Sequence, residues 1–309
     1  MDTPATTVAL PPSSKGKVFA RRLFSTIILW GIVLGALFSG SRVLSDVVFV
    51  SVMTLLAIVG LIEFYGLVEK EGMVCFKGWG VFGGVLLMVG TFLHLEGLLP
   101  AIQGSPARVN DFEVTFLILF VLGLCFRQFV SKSNTKGILA ISTTLFGLMY
   151  VPWLLNFIQK IYLFPDLGEG GKFYVLFFIL VTKFSDSGAY AVGSLIGRHK
   201  MIPRISPGKT WEGFGGAIAV STGTSLLFAH LAGPRLPGMT WVHATILGVL
   251  LSMTAVVGDL IESIFKREAG VKDSGKFFPG IGGILDLLDS LLFNAPIMYL
   301  YLRHVLTHP

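Results

Sequence analysis

Charge is what this chain has least of. Only 14% of its 309 residues are aspartate, glutamate, lysine or arginine, against about 25% in soluble globular domains. Hydrophobic residues make up 53%, phenylalanine alone contributes 26, and the mean hydropathy is +0.77. A water-soluble fold is therefore excluded. The alternating polar–apolar dyads of a membrane β-barrel are missing too, and no internal repeat is evident. Cysteine is scarce: Cys75 and Cys125 sit far apart, in or beside apolar runs. That excludes a disulfide framework, a cysteine zinc site and a redox pair, and leaves two ordinary buried thiols as the expectation. The six histidines, His94, His199, His230, His243, His304 and His308, show no ligand spacing, so a histidine-built metal centre is not expected. The net charge of +6 is the one feature that suggests nucleic acid. The bases lie between apolar runs, however, where they serve topology and anionic headgroups, and no nucleic-acid partner is expected.

What the chain has in abundance is long apolar runs. Nine candidate spans fall at about 23–40, 43–67, 79–99, 112–130, 138–158, 173–196, 213–232, 241–262 and 285–306, each near the roughly 20 residues needed to cross a 30 Å hydrocarbon layer. The fold class is all-α, a polytopic integral membrane protein with about nine transmembrane helices. Residues 1–22 read as a flexible cytoplasmic tail. The run after it lacks a small-x-small cleavage site, so it reads as a retained anchor rather than a signal peptide. Residues 23–309 form one membrane domain, with generic helices over 23–172 and chemistry-bearing helices over 173–309. With the N-terminus inside, 17 lysines and arginines fall on the cytoplasmic side and six on the other. The positive-inside rule then turns the basic loops 197–212 and 263–284 to the cytoplasm. In the first half, Glu63 lies near a span end and is expected to be solvated, while His94 and Glu96 are expected to be paired or to reach the interface.

Polar residues of interest gather late in the chain. Lys183 and Asp186 stand three apart inside the sixth span, on one helix face. Each costs roughly 2.5–3.5 kcal/mol at the centre of a membrane helix, so the pair marks either a functional site or a structural ion pair. The loop that follows contains "SPGKTWEGFGG". Its Lys209 and Thr210 resemble the end of a phosphate-binding loop, but Pro203 stands where that pattern needs glycine, and the fingerprint fails. Lysine, hydroxyls and glycine beside a helix start still suit a phosphate. Asp259 and Glu262 then end the eighth span, and Asp286 and Asp289 begin the ninth. If those helices are neighbours, four carboxylates converge and repel one another unless lysines or a divalent cation neutralise them. Oxygen ligands of this kind select Mg²⁺, which keeps waters and binds substrate phosphates. Lys266, Arg267, Lys272 and Lys276, between the two acidic pairs, can hold phosphate oxygens. Helix N-termini favour acids, and Gly280, Gly282 and Gly283 are expected to let backbone amides approach a phosphate.

At these residues the chain resembles the phosphatidate cytidylyltransferases, also called CDP-diacylglycerol synthases. Ser263, Lys266, Arg267, Lys272, Asp273, Gly282, Gly283, Asp286 and Asp289 fall on that family's C-terminal signature, and "DSGAY" and "SPGKTWEGFGG" resemble two upstream blocks. The resemblance covers residues 180–295 or so. Ile281 and Leu287 stand where the signature has histidine and arginine. The resemblance implies that CTP and phosphatidic acid give CDP-diacylglycerol and pyrophosphate, with the active site at the cytoplasmic ends of the C-terminal helices. It implies Asp259 and Asp286 as Mg²⁺ ligands, with a second cation left open. Asp186, Lys272, Asp273 and Asp289 would complete the catalytic set, and Ser206, Lys209, Thr210, Lys266 and Arg267 would contact substrate. A bacterial inner membrane is the expected setting. Another lipid substrate, a CTP-dependent kinase and a catalytically silent member remain alternatives. Pairing of two copies through small residues such as Gly31 and Gly35 also stays open.

Overall fold

The computed structural model describes residues 27–28, 30–35, 37–38, 40–98, 111–131, 136–165, 167–275 and 282–306. Eight helices among them are long and apolar enough to cross a membrane. They are α1 (Arg42–Lys70), α2 (Lys77–Leu95), α3 (Asp111–Val130), α4 (Gly137–Tyr162), α5 (Gly170–Ile196), α6 (Trp211–Ala232), α7 (Trp241–Glu268) and α8 (Ile284–Tyr301). The tail 1–22 lies outside the described residues, as does part of the expected span 23–40; residues 27–28, 30–35 and 37–38 within that span are helical. Gly31 and Gly35 have open space around them, with no neighbour within 4 Å of a built Cβ. The protein is a multi-pass, all-α membrane protein. At 1.5 Å per residue, spans of 19–29 residues match the bilayer. Hydroxyl side chains cap three starts: Ser41 accepts the N–H of Leu44 at 3.2 Å, Thr210 that of Gly213 at 3.1 Å, and Thr240 that of His243 at 3.3 Å.

Two features break the plain helical reading. α4 passes through a π-helical turn, Met149–Trp153, around Pro152, whose missing N–H and ring displace the regular bonding pattern. Between α5 and α6 the expected loop forms an antiparallel hairpin, β1 (Lys200–Ile202) with β2 (Ser206–Thr210). Glu212 fastens its base, accepting the backbone N–H groups of Arg198 at 3.1 Å and His199 at 3.2 Å.

Successive helices α5, α6, α7 and α8 pack on one another, and α8 also lies against α1 and α4. Asn294, fully buried on α8, ties this group together at depth. Its amide donates to Thr182 of α5 at 2.7 Å and to the Leu251 carbonyl of α7 at 2.9 Å, and its oxygen accepts from Thr254 at 2.5 Å. In hydrocarbon such a residue is stabilised only by partners of this kind. The first half is less generic than its hydropathy suggests. Lys160, assigned to an outer loop by the span boundaries, is buried in α4 and pairs with Glu113 of α3 at 2.6 Å. Asn156 donates to the same carboxylate at 2.6 Å. Of the two thiols, Cys75 is half-buried, and burial pushes it up to about 11. Cys125 is exposed on α3, contrary to expectation, because a surface facing lipid is as apolar as an interior.

Removing one partner of the Lys160–Glu113 pair leaves a charge buried. Lys160→Met is expected to cost about 3–5 kcal/mol, read as a lowered unfolding midpoint in detergent. Adding Glu113→Leu should recover most of that loss.

Candidate active site

The polar ends of α5, α7 and α8 and the hairpin enclose a cleft of about 450 Å³. Its walls include eight of the residues singled out from sequence: Lys183, Asp186, Ser206, Lys209, Thr210, Asp259, Asp286 and Asp289. α7 and α8 come close here because residue 258 is glycine; a Cβ there would stand 2.6 Å from the Asp289 carbonyl oxygen. As a result Asp259, Glu262 and Asp289 each offer an oxygen within 4.8 Å of the others. The expected convergence of acids from two helices is therefore present, with Glu262 as its third member.

Each acid has a cationic or amide neighbour. Lys209 Nζ lies 2.9 Å from Asp259 Oδ2 and donates to the Val256 carbonyl at 3.1 Å. Lys266 pairs with Glu262 and, at 2.6 Å, with Asp286 Oδ1. Lys183 lies 3.7 Å from Asp186 and donates to the Leu287 carbonyl at 2.8 Å and to Ser290 at 3.2 Å. Ser290 in turn donates to Asp186 Oδ2 at 3.3 Å. Five carboxyl groups thus stand beside three ammonium groups, a formal excess of two negative charges. Two carboxylates about 5 Å apart repel by roughly 3 kcal/mol at an effective dielectric constant of about 20. Glu262 is fully buried, and its Oε1 has no hydrogen-bond partner among the described residues. An orphaned buried oxygen, three clustered hard donors and a double negative excess fit a dication.

The remaining expected residues have other settings. Both oxygens of Asp286 are engaged, Oδ1 by Lys266 and Oδ2 by the N–H groups of Ser274 at 3.0 Å and Gly283 at 2.8 Å. The Gly283 amide thus holds a carboxylate where a phosphate contact was expected; Gly280, Lys276 and Ile281 lie outside the described residues. Thr210 lines the cleft but spends its hydroxyl oxygen on the α6 cap. Arg267 is exposed and donates to the carbonyls of Ile205 at 3.3 Å and Val271 at 3.1 Å, fastening the hairpin. Lys272 and Asp273 are exposed beside the cleft and do not line it. Glu63, expected to be solvated, binds the start of α8: its carboxylate accepts the N–H groups of Ile284 at 3.1 Å and Leu285 at 2.8 Å. The only sequence signal for that contact was a carboxylate near a span end.

A second cavity, about 440 Å³, shares Lys183 and Asp186 with the cleft. The rest of its lining is almost wholly apolar, including Phe49, Met53, Leu155, Ile179 and Leu287. Leu287, the departure from the signature's arginine, therefore faces an apolar groove. A larger cavity of about 650 Å³ lies away from this chemistry. Its charges are already paired, Arg42 with Asp46 at 3.7 Å and with Glu96 at 4.0 Å.

The profile of the Cytidylyltransferase family matches residues 20–305 of the chain. An uncharacterised protein of Escherichia coli, YnbB, is 37% identical over 162 residues, covering 52% of this chain and 51% of that protein. A phosphatidate cytidylyltransferase of Mycobacterium tuberculosis is 32% identical over 206 residues, covering 64% and 60%. One of Staphylococcus saprophyticus is 36% identical over 222 residues, covering 69% and 82%. The chain thus spans about half to three fifths of the length of the first two relatives.

A dication held by Asp259, Glu262 and Asp289 would stabilise the folded state by mass action, about 2.7 kcal/mol at a hundredfold excess over its dissociation constant. Mg²⁺ should therefore raise the thermal midpoint of the purified protein. Glu262→Gln should abolish that rise while leaving the Mg²⁺-free protein folded; an unchanged response would remove Glu262 from the set.

Proposed function

The chain belongs to the Cytidylyltransferase family, and on that premise we propose that it transfers the cytidylyl group of CTP to phosphatidic acid, releasing pyrophosphate. The observation that carries this reading is the junction of two cavities at Lys183 and Asp186. One carries a cluster of charged side chains and is sized for a nucleotide; the other is apolar and sized for acyl chains. A lipid phosphate held at the junction has its tails in the groove and its oxygens beside the nucleotide cleft. The E. coli and mycobacterial relatives exceed the matched region, so the substrates rest on this geometry together with the relatives' names.

In the reaction an ionised phosphate oxygen of the lipid attacks the α-phosphorus of CTP. A new P–O bond forms, the bond to the β-phosphate bridging oxygen breaks, and pyrophosphate leaves with that electron pair. The nucleophile is already anionic near neutral pH, so positioning and charge neutralisation carry the catalysis. Asp259, Glu262 and Asp289 would hold Mg²⁺, which when bound supplies positive charge to the phosphates. Asp286 joins that set only by releasing Lys266. Lys209, freed from Asp259 as the site fills, is placed to meet the triphosphate. Lys183 is placed to meet the lipid phosphate, a cation on this chain close to the position where the signature's arginine is replaced by Leu287. Arg267 holds the hairpin over the cleft, and Lys272 and Asp273 stand at its rim. The 17-to-6 asymmetry of basic residues supports a cytoplasm-facing cleft, and the bacterial relatives support an inner-membrane setting.

Purified protein given labelled CTP, phosphatidic acid and Mg²⁺ should form CDP-diacylglycerol and pyrophosphate in equal amounts, with chelator stopping both. Asp289→Asn should lower kcat/KM at least about 10²-fold. Labelled phosphate appearing on the lipid would support a kinase instead, and no turnover with any lipid phosphate would leave a silent member. In a cysteine-free background, Arg204→Cys should react with a membrane-impermeant thiol reagent in inside-out vesicles only; labelling of intact cells would reverse the orientation.

A further inference from the structure

Glu63 has no part in the chemistry just described, yet it makes the most distant contact in the site. It sits on α1 and meets α8 across more than 200 residues of sequence. Its Oε1 accepts the Ile284 N–H at 3.1 Å, and its Oε2 accepts the Leu285 N–H at 2.8 Å. The Ser274 hydroxyl lies 3.1 Å from Glu63 Oε2 and 3.0 Å from Asp286 Oδ2, and has one proton to give between them. The Ser274 oxygen also accepts the Asp286 N–H at 3.3 Å. Asp286 Oδ2 takes the Gly283 N–H. Every amide from 283 to 286 therefore has a side-chain acceptor, where a helix start ordinarily leaves four donors for water or caps. The contact also fits closely. A Cβ on Gly275 or on Gly283 would collide with the Glu63 carboxylate.

We infer that Glu63 is a positioning residue for the catalytic centre. It anchors the first turn of α8 and the Ser274 segment to α1, and so sets where Asp286 and Asp289 stand relative to Asp259 and Glu262 on α7. A helix start held by one carboxylate across the bundle cannot shift along its axis without breaking two charge-assisted hydrogen bonds, each stronger than a neutral one. A one-turn displacement of α8 would carry Asp289 about 5 Å, beyond the reach of a shared ion. The conclusion that this contact serves catalysis rests on the proposed cytidylyl transfer; the mechanical part does not.

The test uses the full chain in liposomes with Glu63→Gln, which keeps the side chain's size but turns an NH₂ group toward groups that donate. Amides of Ile284 and Leu285 should exchange hydrogen at least tenfold faster, with α5 and α6 unchanged. The Mg²⁺ concentration giving half of the thermal stabilisation should rise at least tenfold. kcat should fall at least thirtyfold, with KM for CTP within threefold of the parent's. Ser274→Ala should share the effect, so that the double variant loses no more than the worse single one. Unchanged exchange at 284–285 overturns the inference. So does fast exchange with parental Mg²⁺ response and kcat, which is the result for a cap that only stabilises the helix, and so do additive losses in the double variant. If the parent itself turns over no lipid, the proposed function fails, and exchange together with Mg²⁺ response still decides the role of Glu63.

Discussion

Neutralising carboxylates at the edge of a low-dielectric layer is the constraint that orders this protein. Asp186, Asp259, Glu262, Asp286 and Asp289 come from three helices and cannot share one cleft unaided. Lys183, Lys209 and Lys266 offset part of their charge. The remainder suits a dication and, through it, the phosphates of a nucleotide. In the structure the lysines are counter-ions to these acids; a role toward phosphate belongs to the proposed reaction. A site built in this way holds its acids close together by giving them cationic neighbours.

The same constraint explains why the first half of the chain matters. Hydropathy makes it look like generic span, but α1 supplies Glu63 to the start of α8, and α4 supplies the π-helical turn and the buried Lys160. The hydroxyl of Tyr150, within that turn, is buried without a hydrogen-bond partner among the described residues. The N-terminal helices form the wall against which α8 is held, and they line half of the apolar groove. The apolar groove and the start of α8 thus share the same supporting helices.

Much was legible in the residues themselves. Apolar runs near 20 residues located eight spans to within a few positions, because a bilayer imposes length and composition on each helix separately. The Lys183–Asp186 pair and the meeting of Asp259, Glu262 and Asp289 followed from helical spacing and adjacent spans. Assignments to loops fared less well. Lys160 moved from a loop to a buried ion pair, the loop between α5 and α6 became a hairpin fastened by Glu212 and Arg267, and the Gly283 amide meets Asp286. Each depends on which distant group arrives beside a local feature, and neither spacing nor hydropathy encodes that.

The sequence by itself determined that the chain lives in a membrane, where its helices run, and that acids and bases crowd its last spans. Those are properties of single segments and their solvent. Only the tertiary structure decided that Asp286 is already engaged by Lys266 and backbone amides, and that two cavities meet at Lys183 and Asp186. It alone brought Glu63 to α8. These facts belong to packing between helices, where Gly258 lets two backbones approach and one carboxylate from α1 settles the place of another helix.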